Sequence, residues 1–290
     1  MECIEVGEDV GRKAIGIGNE QLAMNDFAIE WFSNRLNEVR SEVNGMMEQF
    51  RLSEALKTIY SLIWDDFCSW YLEWVKPGFE QPIDANVYNK TVEFFEELMQ
   101  LLHPFMPFVT EEIYHLLREQ TTDLCVKQQP VAGAYKEDML EQGALLKQVI
   151  TAIREARNRN QVKPKDTIQL YIQTAAGNNY AVIETILSKQ VNASTISFTN
   201  EAIANTVVVA VEKDKFYIET GKVLDSAGLK TDLLKDLEHQ KGFLLSVEKK
   251  LSNQKFVSNA KPEVLAMEQK KKADAEARIK TIEESLSTIS

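Results

Sequence analysis

The sequence predicts a mainly α-helical protein with a small α/β subdomain, and three patterns in its apolar residues indicate this. Up to about residue 160 they recur at helical spacing. From about 160 to 222 they alternate or form β-branched runs, and after residue 226 they repeat at steps of three and four. These patterns predict an antiparallel helix bundle, then an α/β module, then an antiparallel coiled-coil hairpin. A chain of 290 residues with 44% hydrophobic residues can give these parts a buried core.

Long helices with broad apolar faces make up most of the predicted bundle, residues 23–135. They are expected at about 26–50, 54–75 and 86–102. The second is the most aromatic and is therefore predicted to be the centre of the bundle. Its spacing predicts a core position for Cys68 and for three aromatic residues, Trp64, Phe67 and Trp70. For the three aromatic residues, stacking on RNA bases is the alternative. The glycine-containing segment 1–22 is expected to be a poorly ordered leader.

A corner is predicted near the end of the bundle, in the segment HPFMPFVTEEIY (103–114). Pro104 and Pro107 prevent a continuous helix, because proline lacks a backbone N–H and clashes with the preceding turn. Thr110 is expected to restart the helix as its N-cap, followed by two glutamates in the first turn, where the helix dipole favours anions. By itself, such a corner indicates a structural turn.

The densest basic cluster lies where the α/β module, residues 136–225, is expected to begin. Between residues 147 and 165 there are six cationic residues and one anionic residue, and the cations are Lys147, Arg154, Arg157, Arg159, Lys163 and Lys165. Most of them belong to a helix predicted at 139–160. After Pro164, strands are predicted at 167–173, 195–199, 206–211 and 216–218, and a helix at 179–190. The run 207–210 (VVVA) is too apolar to face water, so a helix is expected to cover it.

The last part, residues 226–290, reads as two helices with heptad character separated by 253–262, where Pro262 cannot continue a helix. A pair of ordinary surface helices is the alternative to a coiled coil. The protein has a net charge of −11, yet this part has 12 Lys and Arg against 10 Asp and Glu. Charge runs are also typical of a solvated helix face, so composition alone does not identify a nucleic-acid ligand.

Several classes of protein are not indicated by the sequence. No apolar run approaches the roughly 18 residues of a membrane span, and the N-terminus lacks a signal pattern, which predicts a cytoplasmic protein without a membrane partner. The three cysteines and three histidines show no disulfide framework and no metal-binding spacing. No glycine-rich phosphate loop or catalytic constellation stands out. We therefore predict no catalytic residue and no metal ligand.

Five segments resemble, in order, the C-terminal part of class I aminoacyl-tRNA synthetases of the valine, isoleucine and leucine group. They are NRLNEV (34–39), LIWDDFCSWYLEWVKP (62–77), HPFMPFVTEEIY (103–114), AIREARNRNQVKPKDTIQLYI (152–172) and KKLSNQKFVSNAKPEVLAMEQKKKADAEARIKTIEESL (249–286). The last is similar to the C-terminal arm of bacterial valine–tRNA ligases, whereas the isoleucine and leucine enzymes carry other modules there. The resemblance, which spans about residues 26–290, therefore favours the valine family.

This resemblance implies a tRNA-binding function, in which the bundle reads the anticodon of a valine-accepting tRNA and the arm lies near the outer corner of the tRNA. Proteins recognise anticodon bases by stacking and by hydrogen bonds to the edges of the bases, and they bind phosphates through Arg and Lys. The resemblance implies anticodon-side contacts by Asn34 and Arg35. It implies phosphate contacts by Arg154, Arg157, Arg159, Lys163 and Lys165. On the arm it implies contacts by Lys249, Lys250, Lys255, Lys270 and Lys271. Arg35 could equally form a salt bridge inside the bundle.

The HIGH-like and KMSKS-like motifs that such enzymes use for adenylate formation do not occur in this sequence, and neither does an editing domain. The resemblance therefore implies a C-terminal fragment that is inactive alone and holds no cofactor, while ATP and Mg²⁺ serve the N-terminal catalytic domain of the parent enzyme. A rival interpretation is a helical and coiled-coil module that binds proteins and not RNA. An independent enzyme is a weaker third possibility, since no catalytic constellation is visible.

Overall fold

The structure is a computed structural model, which describes residues 19–78, 80–117, 122–174, 180, 183–220, 226–253 and 262–288. Its contacts divide the chain into two compact units, with the boundary between Lys147 and Gln148. The expected leader lies outside the described residues up to residue 18, but residues 19–22 already belong to the first helix. The finer division of the chain at 135 and 225 stays a prediction.

The first unit is a helix bundle built from α1 (Asn19–Glu48), α2 (Leu52–Ser61), a π-helix (Leu62–Tyr71) and α3 (Leu72–Val75). It continues with α4 (Ala85–Leu102), α5 (Pro107–Leu117), a short 3₁₀ turn (Leu124–Val126) and the first part of α6 (Glu137–Arg159). Asp84 begins α4 as its N-cap, since its carboxylate accepts the backbone N–H of Val87 at 3.1 Å. The bundle helices are those that the apolar spacing predicts.

Aromatic rings fill the centre of the bundle. Phe32 of α1 lies 5.2 Å from the ring of Phe67, 5.1 Å from Tyr71 and 5.0 Å from Phe94, measured between ring centroids. Burial raises the pKa of Tyr71 to about 12, although its hydroxyl forms a 2.8 Å hydrogen bond with Thr91. The π-helix therefore lies at the aromatic centre of the bundle, as its aromatic content predicts, whereas Tyr60, the aromatic residue of α2, is exposed.

The π-helix changes which side chains face this core. Its buried residues are Leu62, Asp66, Phe67 and Tyr71, which repeat at steps of four and five and not at steps of three and four. The core prediction for Phe67 is confirmed, but those for Trp64 and Cys68 are wrong: Trp64 is 58% exposed and Cys68 is also exposed. The wider turn of a π-helix rotates both side chains out of the core, and sequence spacing does not show this.

The corner before α5 also differs from the prediction. The helix begins at Pro107, where a missing N–H costs nothing because the first N–H groups of a helix have no intrahelical partner. Thr110 is buried in the helix and is not its N-cap. Its hydroxyl donates to the carbonyl of Met106 at 2.9 Å and lies 2.8 Å from His103 Nδ1. Thr110 therefore ties the helix back onto the corner.

The second unit contains a four-stranded mixed sheet with strand order β2-β1-β4-β3. The strands are β1 (Ile168–Gln173), β2 (Ala193–Phe198), β3 (Val207–Val211) and β4 (Asp214–Thr220). Helix α7 (Glu184–Val191) connects β1 to β2, which are parallel, while β4 pairs antiparallel with both β1 and β3. The sheet is the α/β module that the alternating pattern predicts.

Two long helices, α8 (Ser226–Leu251) and α9 (Pro262–Thr288), complete the second unit. Ion pairs join Lys241 to Glu283, Glu248 to Lys272 and Lys250 to Glu268. Residues later in α8 therefore pair with residues earlier in α9. The two helices therefore form an antiparallel hairpin, and Val247, Ala275 and Ile282 are buried in it. Helix α9 also packs against β3, which covers the apolar run 207–210 as expected.

Candidate nucleic-acid interface

The predicted anticodon-side residues lie on α1 and take part in contacts within the bundle. The side chain of Asn34 is 9% exposed; it donates to the Glu30 carbonyl at 2.8 Å and accepts the backbone N–H of Lys136 at 2.7 Å. Both ends of this amide are thus engaged. Asn34 and neighbouring Asn37, which accepts the N–H of Gly133 at 3.2 Å, hold the segment before α6 against α1.

Arg35 forms the intramolecular ion pair that the sequence left open. Its guanidinium contacts Asp66 Oδ2 at 2.8 Å and Glu38 at 2.5 Å, and Lys147 Nζ approaches the other Asp66 oxygen at 2.8 Å. Burial alone would lower the pKa of Arg35, but the hydrogen bonds and charges of Asp66 and Glu38 hold it above its ordinary value. Asp66 is 5% exposed, and the two cations compensate the cost of burying its carboxylate.

Arg157, one of the predicted phosphate contacts, is buried and bonded within the fold. It is 5% exposed, and its guanidinium donates to four backbone carbonyls, those of Val191, Lys163, Pro164 and Asp166. These carbonyls belong to the turn after α6 and to the end of α7. Burial lowers the pKa of Arg157, partly opposed by the charge of Asp166. Arg157 therefore joins α6 to the start of the sheet, and its buried guanidinium is not placed to meet a ligand.

Of the other five cations in the basic cluster 147–165, Lys147 pairs with Asp66 and the remaining four lie at the surface. Lys163 and Lys165, in the turn between α6 and β1, are exposed. Arg154 is exposed as well and donates to the side-chain oxygen of Gln190 at 2.7 Å. Arg159 is half-exposed and pairs with Asp236 of α8 at 2.7 Å. Together these four residues make an exposed cationic surface, which we call the junction surface.

The arm lysines divide into two groups. Lys249 and Lys270 are exposed, whereas Lys250 and Lys271 contact the buried carboxylate of Glu268 at 3.7 and 2.7 Å. Lys255 lies outside the described residues. The lysines of the first group are therefore the better placed for a ligand phosphate.

An exposed aromatic pair lies on the surface of the bundle, where the sequence favours a core position for Trp64 over base stacking. Tyr60, at the end of α2, and Trp64 of the π-helix are 59% and 58% exposed, with ring planes only 12° apart. Leu52 and Leu56 extend this face at steps of four and are also exposed. Exposed aromatic faces are what single-stranded bases stack on. In the sequence, the apolar residues of this face recur every four residues from Leu52 to Trp64, and this pattern could have indicated an exposed apolar face. The same pattern is, however, typical of a helix face that packs in a core.

Within the described residues, no helix is both long and apolar enough to span a membrane.

Comparison with known proteins gives two family matches. Residues 30–172 match the anticodon-binding domain of tRNA ligase, and residues 225–290 match the valyl tRNA synthetase tRNA binding arm. Similar proteins include the valine–tRNA ligases of Parabacteroides distasonis (39% identical over 264 residues), Christiangramia forsetii (34% over 273) and Aquifex aeolicus (30% over 288). These alignments cover 90%, 93% and 90% of this chain but only 30%, 31% and 24% of the relatives. The chain thus spans less than a third of their length.

Proposed function

Because this chain belongs to the valine–tRNA ligase family, we propose that it binds valine-accepting tRNA, with the helix bundle on the anticodon and the helical hairpin near the outer corner. The observation that carries this proposal is the pair of family matches, since together they cover both units and both concern tRNA. A helical module that binds only proteins, the alternative interpretation of the sequence, is not favoured by those matches.

The exposed cations identify the surfaces that would hold the tRNA backbone. We assign phosphate contacts to the junction surface, which consists of Arg154, Arg159, Lys163 and Lys165, and to Lys249 and Lys270 on the arm. Phosphate contacts fix the position of a protein on nucleic acid and make binding depend on salt. Lys250 and Lys271 are secondary candidates, because each would have to leave Glu268 to reach a phosphate.

On the bundle, we assign base contacts to the exposed aromatic pair of Tyr60 and Trp64, where an unstacked base would find a π-face. Arg35 remains a candidate, since its side chain is 27% exposed, although it would share its charge with Asp66 and Glu38. Asn34 would first have to give up its contacts with Glu30 and Lys136, so we propose it as a residue that shapes the surface.

For the enzyme to which this part belongs, we propose ATP-dependent ligation of valine to tRNA in the cytoplasm. The adenylate chemistry, with ATP and Mg²⁺, would belong to a catalytic domain N-terminal to these residues in the relatives. Among the described residues we assign no catalytic role. The contribution of this chain is to position the tRNA.

The proposal is tested by fluorescence-anisotropy binding of the 290-residue protein to a tRNA with a valine anticodon and to the same tRNA with that anticodon changed. We expect tighter binding to the valine anticodon. Trp64→Ala is expected to weaken binding by about 1–3 kcal/mol, the usual worth of one stacked base. Trp70→Ala is the matched control, since Trp70 lies on the same π-helix and packs beside Trp74, at 6.0 Å between ring centroids.

Equal and weak binding to both tRNAs would contradict anticodon reading by this chain. In that case the same measurement with a longer enzyme that includes the N-terminal domain decides between two explanations. Recovery of anticodon preference would mean that the bundle reads the anticodon only in the complete enzyme. No recovery would exclude the bundle as the reader.

A further inference from the structure

Three side chains with metal-ligating atoms meet at the surface beside α5. They are Glu111 and His115, one helical turn apart on α5, and Asp123, which precedes the 3₁₀ turn. One ligand atom from each lies within 4.8 Å of the others. The sequence predicts no metal ligand at these positions, because a Glu–His step of four and an aspartate eight residues later match no common metal motif.

The distances between these atoms suit a metal ion. His115 Nε2 lies 3.3 Å from Glu111 Oε1 and 3.1 Å from Asp123 Oδ1. When one zinc ion is bound by imidazole nitrogen at about 2.0–2.1 Å and by carboxylate oxygen at about 2.0–2.2 Å in tetrahedral geometry, its ligand atoms lie roughly 3.3 Å apart. The two distances from His115 thus already match ligands of a single ion, and the two carboxylate oxygens lie within 4.8 Å of each other.

The groups are held in place by contacts outside the cluster. Glu111 accepts the backbone N–H of Leu124 at 2.6 Å and that of Cys125 at 3.2 Å, which fixes the segment of Asp123 against α5. The Glu111 carboxylate is therefore held in a fixed position beside His115 and the Asp123 segment.

A second histidine, His103, points at the same carboxylate and provides an independent observation. Its Nδ1 lies 2.8 Å from the hydroxyl of Thr110, a contact that orients the ring. Its Nε2 lies 4.0 Å from Glu111 Oε2. His103 is therefore placed to orient the Glu111 carboxylate.

Two of the three groups, Glu111 and His115, line an open pocket together with His103, and the volume of this pocket is about 430 Å³. Its other walls are Pro107, Phe108, Glu112, Leu116 and Cys125. A metal ion on Glu111, His115 and Asp123 would therefore remain reachable for water or another ligand at its open position. Sites with three protein ligands and one open position are common for zinc.

We propose that Glu111, His115 and Asp123 form a binding site for a divalent transition-metal ion of the zinc type, with His103 as a positioning residue. One imidazole and two carboxylates suit Zn²⁺ better than Mg²⁺, which prefers an all-oxygen octahedral shell. The bound ion would fasten the Asp123 segment to α5, and it would neutralise two carboxylates on the surface of the bundle.

The test is a titration of the metal-free 290-residue protein with ZnCl₂ by isothermal calorimetry, with MgCl₂ as the comparison ion. We expect one Zn²⁺ per chain, and a rise in the melting temperature of the bundle with zinc. Co²⁺ in place of Zn²⁺ is expected to give the visible absorption bands of a cobalt ion with nitrogen and oxygen ligands.

His115→Ala and Asp123→Asn are each expected to weaken zinc binding about tenfold or more, and His103→Gln by a smaller factor. His239→Ala, which removes an exposed histidine of the arm, is the matched control and should bind as the wild type does. Circular dichroism melts without zinc show whether His115→Ala is folded, and the near-isosteric Asp123→Asn provides the second measurement.

Absence of stoichiometric zinc binding to the wild type would overturn the proposal. It would also be overturned if the His115 and Asp123 variants bound zinc like the wild type while Cys125→Ser did not, because the ligand would then be the exposed thiol. Equal binding of Mg²⁺ and Zn²⁺ would exclude a site of the zinc type.

Discussion

At the scale of single residues, one glycine shows how closely α6 packs on α1. A Cβ built on Gly143 would overlap Nε1 and Cδ1 of Trp31, a tryptophan that is 1% exposed and lies 4.7 Å from Trp74 between ring centroids. Lys147, one turn further along α6, lies over the same ring at 5.1 Å from its centroid. The absence of a side chain at residue 143 therefore allows the helices to approach.

Gly143→Ala is expected to destabilise the bundle by about 1–3 kcal/mol, because the added methyl group overpacks the Trp31 site. Gly45→Ala on α1 is the matched control. It meets nothing within 4 Å, so the better helix propensity of alanine should stabilise the protein by up to about 1 kcal/mol. Urea unfolding of both variants measures this, and a stabilising Gly143→Ala would show that the two helices do not pack this closely.

At the scale of elements, the buried Arg157 and the exposed Arg154 separate structural from ligand-binding cations on one helix. Arg157→Ala would leave several carbonyls at the α6–β1 turn without their donor. We expect a loss of about 2–4 kcal/mol in the free energy of unfolding of the second unit. Arg154→Ala is expected to stay within about 0.5 kcal/mol of the wild type, yet to weaken tRNA binding.

Chemical denaturation followed by near-ultraviolet and far-ultraviolet circular dichroism measures these stabilities, and fluorescence anisotropy measures the tRNA affinities. If Arg157→Ala were as stable as the wild type but bound tRNA more weakly, Arg157 would be a ligand contact after all. The phosphate contact that the family resemblance implies would then be correct at this position.

The helical hairpin is expected to lose stability in acid through Glu268. A hydrogen bond from Lys271 and, opposing burial, the charges of Lys250 and Lys271 hold the pKa of Glu268 below its ordinary value of 4.5. A carboxyl whose pKa is lower in the folded protein than in the unfolded chain stabilises the fold when the pH is above its pKa in the unfolded chain. This stabilisation is lost as the pH falls through its pKa in the folded protein.

Glu268→Gln is therefore expected to lower the melting temperature of the hairpin at pH 7. Below about pH 4.5, the difference in melting temperature between this variant and the wild type should become smaller. Glu238→Gln, at an exposed site on α8, is the control and should leave the melting temperature nearly unchanged at both pH values. Circular dichroism melts from pH 7 to 3 provide the measurement. An effect of Glu268→Gln that grows towards low pH would contradict a lowered pKa of Glu268 in the folded protein.

At the scale of the whole molecule, a protein with a net charge of −11 is proposed to bind a polyanion. This is physically consistent because salt screens the acidic residues that lie farther from the cationic surface than the Debye length, about 8–10 Å, so that only nearby ones such as Asp236 oppose it. Local charge therefore decides the contact with phosphate, and the net charge mainly slows non-specific binding.

If four cations of the junction surface and arm contact phosphates, tRNA affinity should fall about a hundredfold between 50 and 200 mM salt. Replacing Lys163 and Lys165 together by alanine should lower the slope of log K against log salt by about two units. Lys213→Ala, an exposed lysine at the β3–β4 turn, is the control and should leave the slope unchanged. An unchanged slope in the double variant would mean that the junction surface is only solvated.

The sequence by itself determined the order of bundle, sheet and helical hairpin, because helix and strand periods are local properties of the chain. It also identified the family, through segments whose order no generic helical protein would share. Only the tertiary structure decided which side chains are available to a ligand. Arg157 and Asn34 are engaged with backbone groups that lie near them in space, and the π-helix turns Trp64 outward and Asp66 inward. Glu111, His115 and Asp123 meet because the Asp123 segment folds back onto α5. Such contacts depend on where distant parts of the chain meet, and no local pattern of residue types contains that information.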